Sequence, residues 1–366
     1  MKSGKSLQDL AREIERRAAA KKDVVVKTDH VTMIKAPLLS TARVHLQIAD
    51  AFEVGVNSIA NQQIAEHVDI PKKYYDRMLT SDPALLCTNV NAWFGKEPVA
   101  RMVRTLDGTA RAFLSDRYRP LENEELAEAV LPALMDMDLA VMSSEITDRR
   151  LYIKAVDRKI ERELKAIGGK FGDGGHNIVR CLSPAVTISN SEVGMGALSV
   201  LGGVYDGFCS NLATFGERST RKYHVGGKHE IGGEDIYALL SDATRRKTND
   251  ALWAQVTDIV KGAFQRASFD SLCDKIAETA SHKIEGDPVK VVNLTTKRFG
   301  MTEGEGTSIL RHLIEGGDLS RFGLYNAVTR AAQDLDDYDR ATEFERLGAN
   351  VIELPASEWR EMALAA

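Results

Sequence analysis

The chain has 366 residues, 43% of them hydrophobic and 28% charged, a balance typical of a globular protein with one or two well-formed cores. The net charge of −5 does not mark the chain as a nucleic-acid-binding protein, and no run approaches the roughly 20 apolar residues of a membrane-spanning helix. The N-terminus is charged and lacks an apolar signal core, so we expect a cytoplasmic protein with free cysteines and no membrane partner.

The first segment combines a helix pattern with a strand pattern. Residues 7–22 have the spacing of an amphipathic helix, and residues 23–34 have the β-branched composition of a strand. We interpret residues 1–35 as an N-terminal helical arm. Residues 1–30 hold eight basic and five acidic side chains, whereas residues 333–366 hold three basic and nine acidic ones. This uneven charge is compatible with DNA binding but does not require it.

Residues 61–78, "NQQIAEHVDIPKKYYDRM", resemble a helix-turn-helix. A short helix from Gln62 to Val68 breaks before Pro71, which suits the first position of a second helix. In one interpretation the second helix contacts nucleic acid through Lys72, Lys73 and the two tyrosines that follow. In the other, which we prefer, the helices only pack together through Ile64, Ala65, Val68 and Ile70.

Residues 85–120 have a β pattern, and residues 99–116 predict a β-hairpin. Asp107-Gly108 between alternating segments is a strong signal for a two-residue turn. That turn would place Leu106 opposite Thr109, Arg104 opposite Arg111 and Met102 opposite Phe113. Two arginines on one face repel each other, so an anion should lie between them.

The anion between the two arginines has two candidate sources. Acidic side chains of this chain could neutralise both, which is the favoured explanation. Alternatively, a phosphate could bind, and Arg101, Arg117 and Arg119 would then extend a basic sheet face. Glu192, in "TISNSEVGMGALSV", could be catalytic, although pairing with Arg104 or Arg111 is preferred.

The middle of the chain mixes helix, strand and loop patterns. Residues 122–135 predict a helix with acidic residues in its first turn, and a strand pair follows in "LAVMSSEIT" and "RRLYIKAV". Residues 166–177 contain five glycines and predict a surface loop, in which Lys170 and His176 could contact a nucleic-acid strand. The loop lacks the pattern of a phosphate-binding loop. No Ser-His-Asp arrangement or metal-ligand motif is recognisable, so no metal or cofactor is expected.

Strand patterns resume at residue 177 and end near residue 233, after which the chain has helical periodicity almost to its end. Gly348 suits the C-terminal cap of a helix over "YDRATEFERLG". We therefore predict an α+β fold, with a mixed antiparallel-sheet body over residues 36–233 and a helical C-terminal region over residues 234–366.

Several phrases together resemble the phage/plasmid-like protein family, catalogued as domain-of-unknown-function family 932. They are "IPKKYYDRML", "RAFLSDRYRPLENEEL", "SNSEVGMGALSV", "CSN" and "GLYNAVTRAAQD", spread from about residue 60 to about residue 350. The resemblance implies a mobile-element setting, in which DNA handling is common. It implies no catalytic residues.

Three functions are compatible with these patterns. The first, which we prefer, is a non-catalytic DNA-binding protein that binds or anneals single strands in recombination or replication, where analogy suggests a homo-oligomer. The second is a metal-dependent nuclease or nucleotide-acting enzyme using Glu192 or Asp116. The third is a regulatory protein that binds another protein through its helical C-terminal region.

For the preferred function, tyrosines near basic residues, such as Tyr118, Tyr152 and Tyr223, could stack on unpaired bases. The residues predicted to contact DNA are Arg101, Arg104, Arg111, Arg117, Arg119, Tyr118, Lys170, Lys72 and Lys73.

Overall fold

The computed structural model describes residues 1–49, 52–164, 180–207, 209–215, 230–231, 234–235 and 242–364. Within these ranges the chain forms an α+β fold with two large β-sheets and a helical C-terminal region, which confirms the predicted fold class. No helix in the described ranges is long and apolar enough to cross a membrane.

The first sheet has six strands in the order β1-β5-β6-β4-β3-β2, antiparallel except for the parallel pair β4–β6. In β2 and β3, buried residues alternate with more exposed ones, so one face of the sheet packs on helices while the other faces outward. The strands are β1 (Lys21–Lys27), β2 (Val31–Lys35), β3 (Val44–Ile48), β4 (Phe52–Val56), β5 (Ala100–Leu106) and β6 (Thr109–Ser115).

Three helices cover the inner face of this sheet: α2 (Ser58–His67), α3 (Lys72–Ser81) and α4 (Pro83–Lys96). The β pattern predicted from residue 85 is therefore wrong as far as residue 96. Local helix-start signals prevail there, because Asp82 accepts a hydrogen bond from the Leu85 amide and Pro83 occupies the first turn.

The predicted N-terminal arm is not a separate unit. Helix α1 (Leu7–Ala20) buries Leu10 and Ile14 in a core that it shares with the second sheet. Strands β1 and β2 form the two edges of the first sheet. Apolar burial of α1 and the strand pairing of β1 and β2 therefore tie residues 7–35 to both sheets.

The second sheet has the order β12-β11-β10-β8-β7, with the short β9 paired to β10. Its strands are β7 (Ala140–Ile146), β8 (Leu151–Val156), β9 (Arg162–Leu164), β10 (Arg180–Asn190), β11 (Ser199–Asp206) and β12 (Asn211–Thr214), and a separate pair is formed by β13 (Glu230–Ile231) and β14 (Glu234–Asp235). The predicted strand pair over residues 139–156 is confirmed as β7 and β8.

Both faces of the second sheet are covered. Leu151, Ile153 and Ala155 of β8 pack in the core of α1, α5 (Asn123–Asp136) and α6 (Asp242–Ala263). The alternate residues Tyr152 and Lys154 bond to side chains of α11 (Tyr338–Glu353) on the opposite face. This two-sided burial explains why every residue of β8 is buried.

The predicted helical C-terminal region is confirmed, and its helices from residue 266 onward share one core with β9–β12. Gly348 does not cap α11, which continues to Glu353. Instead it lies in the helix interior, where a Cβ atom would come within 2.3 Å of Thr329 Cγ2. The remaining helices are α7 (Arg266–Thr279), α8 (Pro288–Phe299), α9 (Glu303–Gly316), α10 (Arg321–Ala331) and α12 (Ala356–Ala363).

Candidate nucleic-acid interface

The predicted hairpin is present, and its turn has the expected geometry. Asp107 and Gly108 connect β5 to β6 with φ angles of 50° and 74°, as a type I′ turn requires. Leu106 lies opposite Thr109, as predicted. The local turn chemistry therefore fixes the first pair of the ladder.

Beyond the turn, the predicted register is wrong. A β-bulge shifts the pairing between Arg104 and Thr105, so that Arg104 lies opposite Ala112 and not opposite Arg111. Met102 likewise lies opposite Leu114. The opposed arginine pair inferred from the sequence does not form, because the bulge adds one residue to β6.

Arg104 is also unavailable to an external anion, because its side chain is 0% exposed. Its guanidinium donates to Asp23 Oδ2 at 2.9 Å, to Glu122 Oε1 at 2.6 Å and to the Glu192 carbonyl oxygen at 2.8 Å. Burial opposes the charged form, but the charges of Glu122 and Asp23 outweigh it and raise the Arg104 pKa. Prediction of Arg104 as a DNA contact is therefore wrong in this fold.

Arg111 is neutralised in a similar way. It is 7% exposed, and its Nη1 atom donates to Glu192 Oε2 at 2.7 Å. Burial favours the neutral Glu192, yet Arg111, Glu122 and the Asn123 amide together lower the Glu192 pKa to about 2. The preferred pairing of Glu192 with an arginine is confirmed, and Arg111 is likewise removed from the predicted DNA-contacting surface.

The Glu192 segment is held in place by close backbone packing. A Cβ atom at Gly194 would lie 2.7 Å from Leu114 Cδ2, and one at Gly196 would lie 1.5 Å from Arg150 Nη2. The Tyr118 hydroxyl donates to the Ser191 carbonyl oxygen at 3.0 Å. Two phrases that carry the family resemblance, around Tyr118 and around Glu192, thus meet in one packed junction.

Other predicted contacts have different surroundings. Arg119 is partly buried and bonds to Asn249, whereas Arg117 and Asp116 are exposed just beyond β6. Tyr152 is buried with its hydroxyl on Asp339 Oδ1. Lys170, His176 and Tyr223 lie outside the described residues.

Arg101 differs from its neighbours because the described residues offer it no carboxylate within ion-pair distance. Its Nη2 atom lies 2.7 Å from His67 Nδ1, and its guanidinium packs over the Phe113 ring. Burial lowers the His67 pKa to about 4, with Arg101 as the second cause, so His67 is neutral near pH 7 and accepts the hydrogen bond. Burial also lowers the Arg101 pKa, and the charge of Asp116 opposes that shift.

Helices α2 and α3 pack together as the preferred interpretation expects. Tyr75 is fully buried, with its hydroxyl 2.8 Å from Asn61 Oδ1, and Ile64, Ala65 and Val68 are buried beside it. The opposite face of α3 is exposed and carries Lys72, Lys73, Tyr74 and Arg77. Lys72 pairs with Asp76, but no carboxylate in the described ranges pairs with Lys73 or Arg77.

We call these cations, together with the exposed Tyr74, the basic surface and define it as Lys72, Lys73, Tyr74, Arg77, Arg101 and Arg117. His67, the partner of Arg101, ends α2 only five residues before α3 begins. Arg101 also pairs with Ser115 across the hairpin, and Arg117 follows two residues later. The fold thus connects Arg101 to α2 through His67 and leads from Ser115 to Arg117, while Lys72, Lys73, Tyr74 and Arg77 lie on the exposed side of α3, the next helix.

Sequence reasoning missed Arg77, although a helical signal was available. Lys73 and Arg77 are four residues apart and therefore share one face of α3. Sequence reasoning also missed Asp23 and Glu122 as partners of Arg104. These residues lie 81 positions before and 18 positions after Arg104, and no local pattern links residues so far apart. Among the described residues, no group of three or more His, Cys, Asp or Glu side chains could hold a metal ion.

Comparison with known proteins adds no relative. No protein-family model, curated protein or solved structure matches the chain.

Proposed function

We propose that the protein binds DNA, preferentially single strands, through the basic surface, as an accessory to recombination or replication of a mobile element. The observation that carries the proposal is the half-buried Arg101 guanidinium, which lacks a carboxylate partner among the described residues. The resemblance to phage/plasmid-like proteins supports the mobile-element setting.

The environment of Arg101 favours an anion from outside the chain. Removing a charge from water costs free energy unless an opposite charge compensates for it. Arg104 is compensated by Asp23 and Glu122, whereas Arg101 rests on a neutral imidazole and an aromatic ring. A phosphate beside Arg101 would supply the missing charge, and Lys73 and Arg77 would hold the neighbouring phosphates.

A preference for single strands is supported by Tyr74. Its side chain is 50% exposed and lies between Lys73 and the Arg77 turn of α3. An exposed aromatic ring beside cations can stack on an unpaired base, which contributes about 1–3 kcal/mol per base. A paired duplex does not expose its bases in this way.

The experiment is a binding titration of a fluorescent oligonucleotide across salt concentrations. For Lys73→Glu with Arg77→Glu we expect at least about tenfold weaker binding and a salt slope reduced by roughly 1.4, since each phosphate contact contributes about 0.7 to the slope for single strands. Tyr74→Ala should weaken single-strand binding while changing duplex binding little.

The matched control is Lys261→Glu with Lys275→Glu, which makes the same charge change at exposed positions on α6 and α7. That variant should bind as the unmodified protein does. An unmodified protein that binds neither single nor double strands at low salt would refute the proposal, and equal losses in both double variants would refute the location.

A further inference from the structure

On the outward face of the first sheet, a histidine and a glutamate are joined by hydrogen bonds to a serine from the loop between β2 and β3. Ser40 Oγ lies 2.7 Å from His45 Nε2, and His45 Nδ1 lies 2.6 Å from Glu53 Oε1. We propose that these residues form an acyl-transfer site that hydrolyses carboxylic esters with apolar acyl chains. This activity is separate from the proposed DNA binding.

Strand register brings the histidine and the glutamate together. His45 of β3 lies opposite Gly55 of β4, and Gln47 lies opposite Glu53. Residues two apart on a strand share a face, so His45 and Glu53 are diagonal neighbours on the outward face. Because Gly55 has no side chain, Ala42 can pack over this position beside the imidazole.

The loop between β2 and β3 brings the serine to the imidazole. Ser40 N donates to the Pro37 carbonyl oxygen at 3.0 Å, and Ala36 N donates to the Arg43 carbonyl oxygen at 3.1 Å, which closes the loop. The loop then folds back over the sheet, where a Cβ atom at Gly55 would approach Ala42 Cβ to 3.1 Å. Gly55 therefore acts as a positioning residue for the loop.

The hydrogen-bond chain fixes the imidazole in the tautomer that a general base needs. A carboxylate only accepts hydrogen bonds, so Glu53 requires the proton on His45 Nδ1. Nε2 is then the acceptor for the Ser40 hydroxyl. This is the order of roles found in serine hydrolases: nucleophile, general base and orienting carboxylate.

The proposed reaction follows from these positions. Ser40 Oγ attacks the ester carbonyl carbon, and its proton passes to His45 Nε2. The ester C–O bond breaks, His45 returns that proton to the leaving alkoxide, and an acyl-Ser40 ester remains. Water then attacks the acyl group while giving a proton to His45, which restores it to Ser40 as the carboxylic acid leaves. Overall, ester and water give acid and alcohol.

Neighbouring groups indicate how the ester would be bound. The Ala42 amide donates to Ser40 Oγ at 3.2 Å and so helps to hold the hydroxyl beside the imidazole. Leu38 and Leu39 are fully exposed at the tip of the same turn. Contact with an acyl chain would remove both leucines from water, which favours apolar esters.

Covalent capture is the direct test. The unmodified protein should react one to one with an alkyl fluorophosphonate, and peptide mapping should place the label on Ser40. Ser40→Ala should abolish this label. His45→Gln should slow labelling by about 100-fold or more, the scale of general-base assistance, and Glu53→Gln should slow it by at least about tenfold. Ser81→Ala, at an exposed serine outside the Ser40–His45–Glu53 hydrogen bonds, should leave the labelling rate unchanged.

Two further measurements separate catalysis from a structural latch. Ser40→Cys should react with iodoacetamide faster than Ser40→Cys with His45→Gln, because imidazole activates the thiol. Leu38→Ser with Leu39→Ser should reduce the preference for p-nitrophenyl octanoate over the acetate by at least about tenfold. Absence of label on Ser40, or equal labelling rates with and without His45→Gln, would overturn the proposal. The three hydrogen-bonded side chains would then only hold the loop against the sheet.

Discussion

At the residue scale, the surroundings of an arginine decide whether its guanidinium can bind a ligand. Arg104 and Arg111 are buried against Asp23, Glu122 and Glu192, so the chain itself neutralises them. Arg101, on the same hairpin, contacts a neutral histidine and an aromatic ring and has no ion-pair partner in the described part of the chain. Candidate contact residues must therefore be ranked by their neutralising partners and not by their proximity in sequence.

His67 gives this scale a pH-dependent prediction. Its pKa falls from the ordinary 6.5 to about 4, through burial first and Arg101 second. Between these values the unfolded chain binds more protons at His67 than the native protein does. The contribution of the neutral His67 to stability is therefore complete above pH 6.5 and is lost as the pH falls toward 4. The loss should be on the order of 1–2 kcal/mol, because solvent reaches part of the site.

Urea unfolding at pH 7 and pH 4.5 checks this expectation. His67→Gln cannot gain the proton, so its free energy of unfolding should fall less than that of the unmodified protein between these pH values. The carboxylates are the same in both proteins, so their contribution to the pH dependence cancels in the comparison. An identical pH dependence in the two proteins would contradict the assignment.

At the element scale, helix-start signals decide the secondary structure where the apolar periodicity is ambiguous. The segment of α4 has a β-like composition, yet Asp82 and Pro83 start a helix there. Asn91 of this helix accepts from Met33 N at 2.7 Å and donates to Met33 O at 2.8 Å, so α4 also satisfies backbone groups of the edge strand β2.

We expect Asp82→Ala to lower the free energy of unfolding by about 1 kcal/mol, because the Leu85 amide loses its acceptor. Ser81→Ala is the control, since Ser81 is exposed one residue earlier and its side chain does not cap α4. Denaturant titration measures both. Equal losses would mean that the Asp82 side chain does not stabilise this helix start.

At the scale of the whole molecule, an ion pair joins the second sheet to the C-terminal helices. Lys154 of β8 and Glu345 of α11 are almost completely buried, with Nζ and Oε2 2.8 Å apart. Burial raises the Glu345 pKa and lowers the Lys154 pKa, so each charged form depends on the other. Helix α11 thus belongs to the same cooperative unit as the sheet.

Breaking this pair one side at a time should be costly. Lys154→Met should lower the free energy of unfolding by about 3–5 kcal/mol, since Glu345 is left buried without its cation. Adding Glu345→Gln should recover part of that loss, because no charge then remains. Chemical denaturation of both variants decides the point, and a double variant less stable than the single one would contradict it.

The sequence by itself determined the structure wherever the signal was local. The Asp107-Gly108 turn, helix α5 and the helical C-terminal region follow from the φ preferences of turn residues and the periods of apolar residues, which act within a few positions. The packing of α2 on α3 was accessible for the same reason. Lys72 and Lys73 were identified as candidate contacts in this way, and their role in binding DNA stays a prediction.

Only the tertiary structure decided which charges remain available and which polar groups meet. The bulge in β6 moved Arg104 away from Arg111, and its neutralising partner Asp23 comes from a strand 81 residues earlier. Ser40, His45 and Glu53 likewise meet through a loop closure and a strand register that no local pattern encodes. Electrostatic compensation and hydrogen bonding depend on distance in space, and the fold sets that distance independently of separation along the chain.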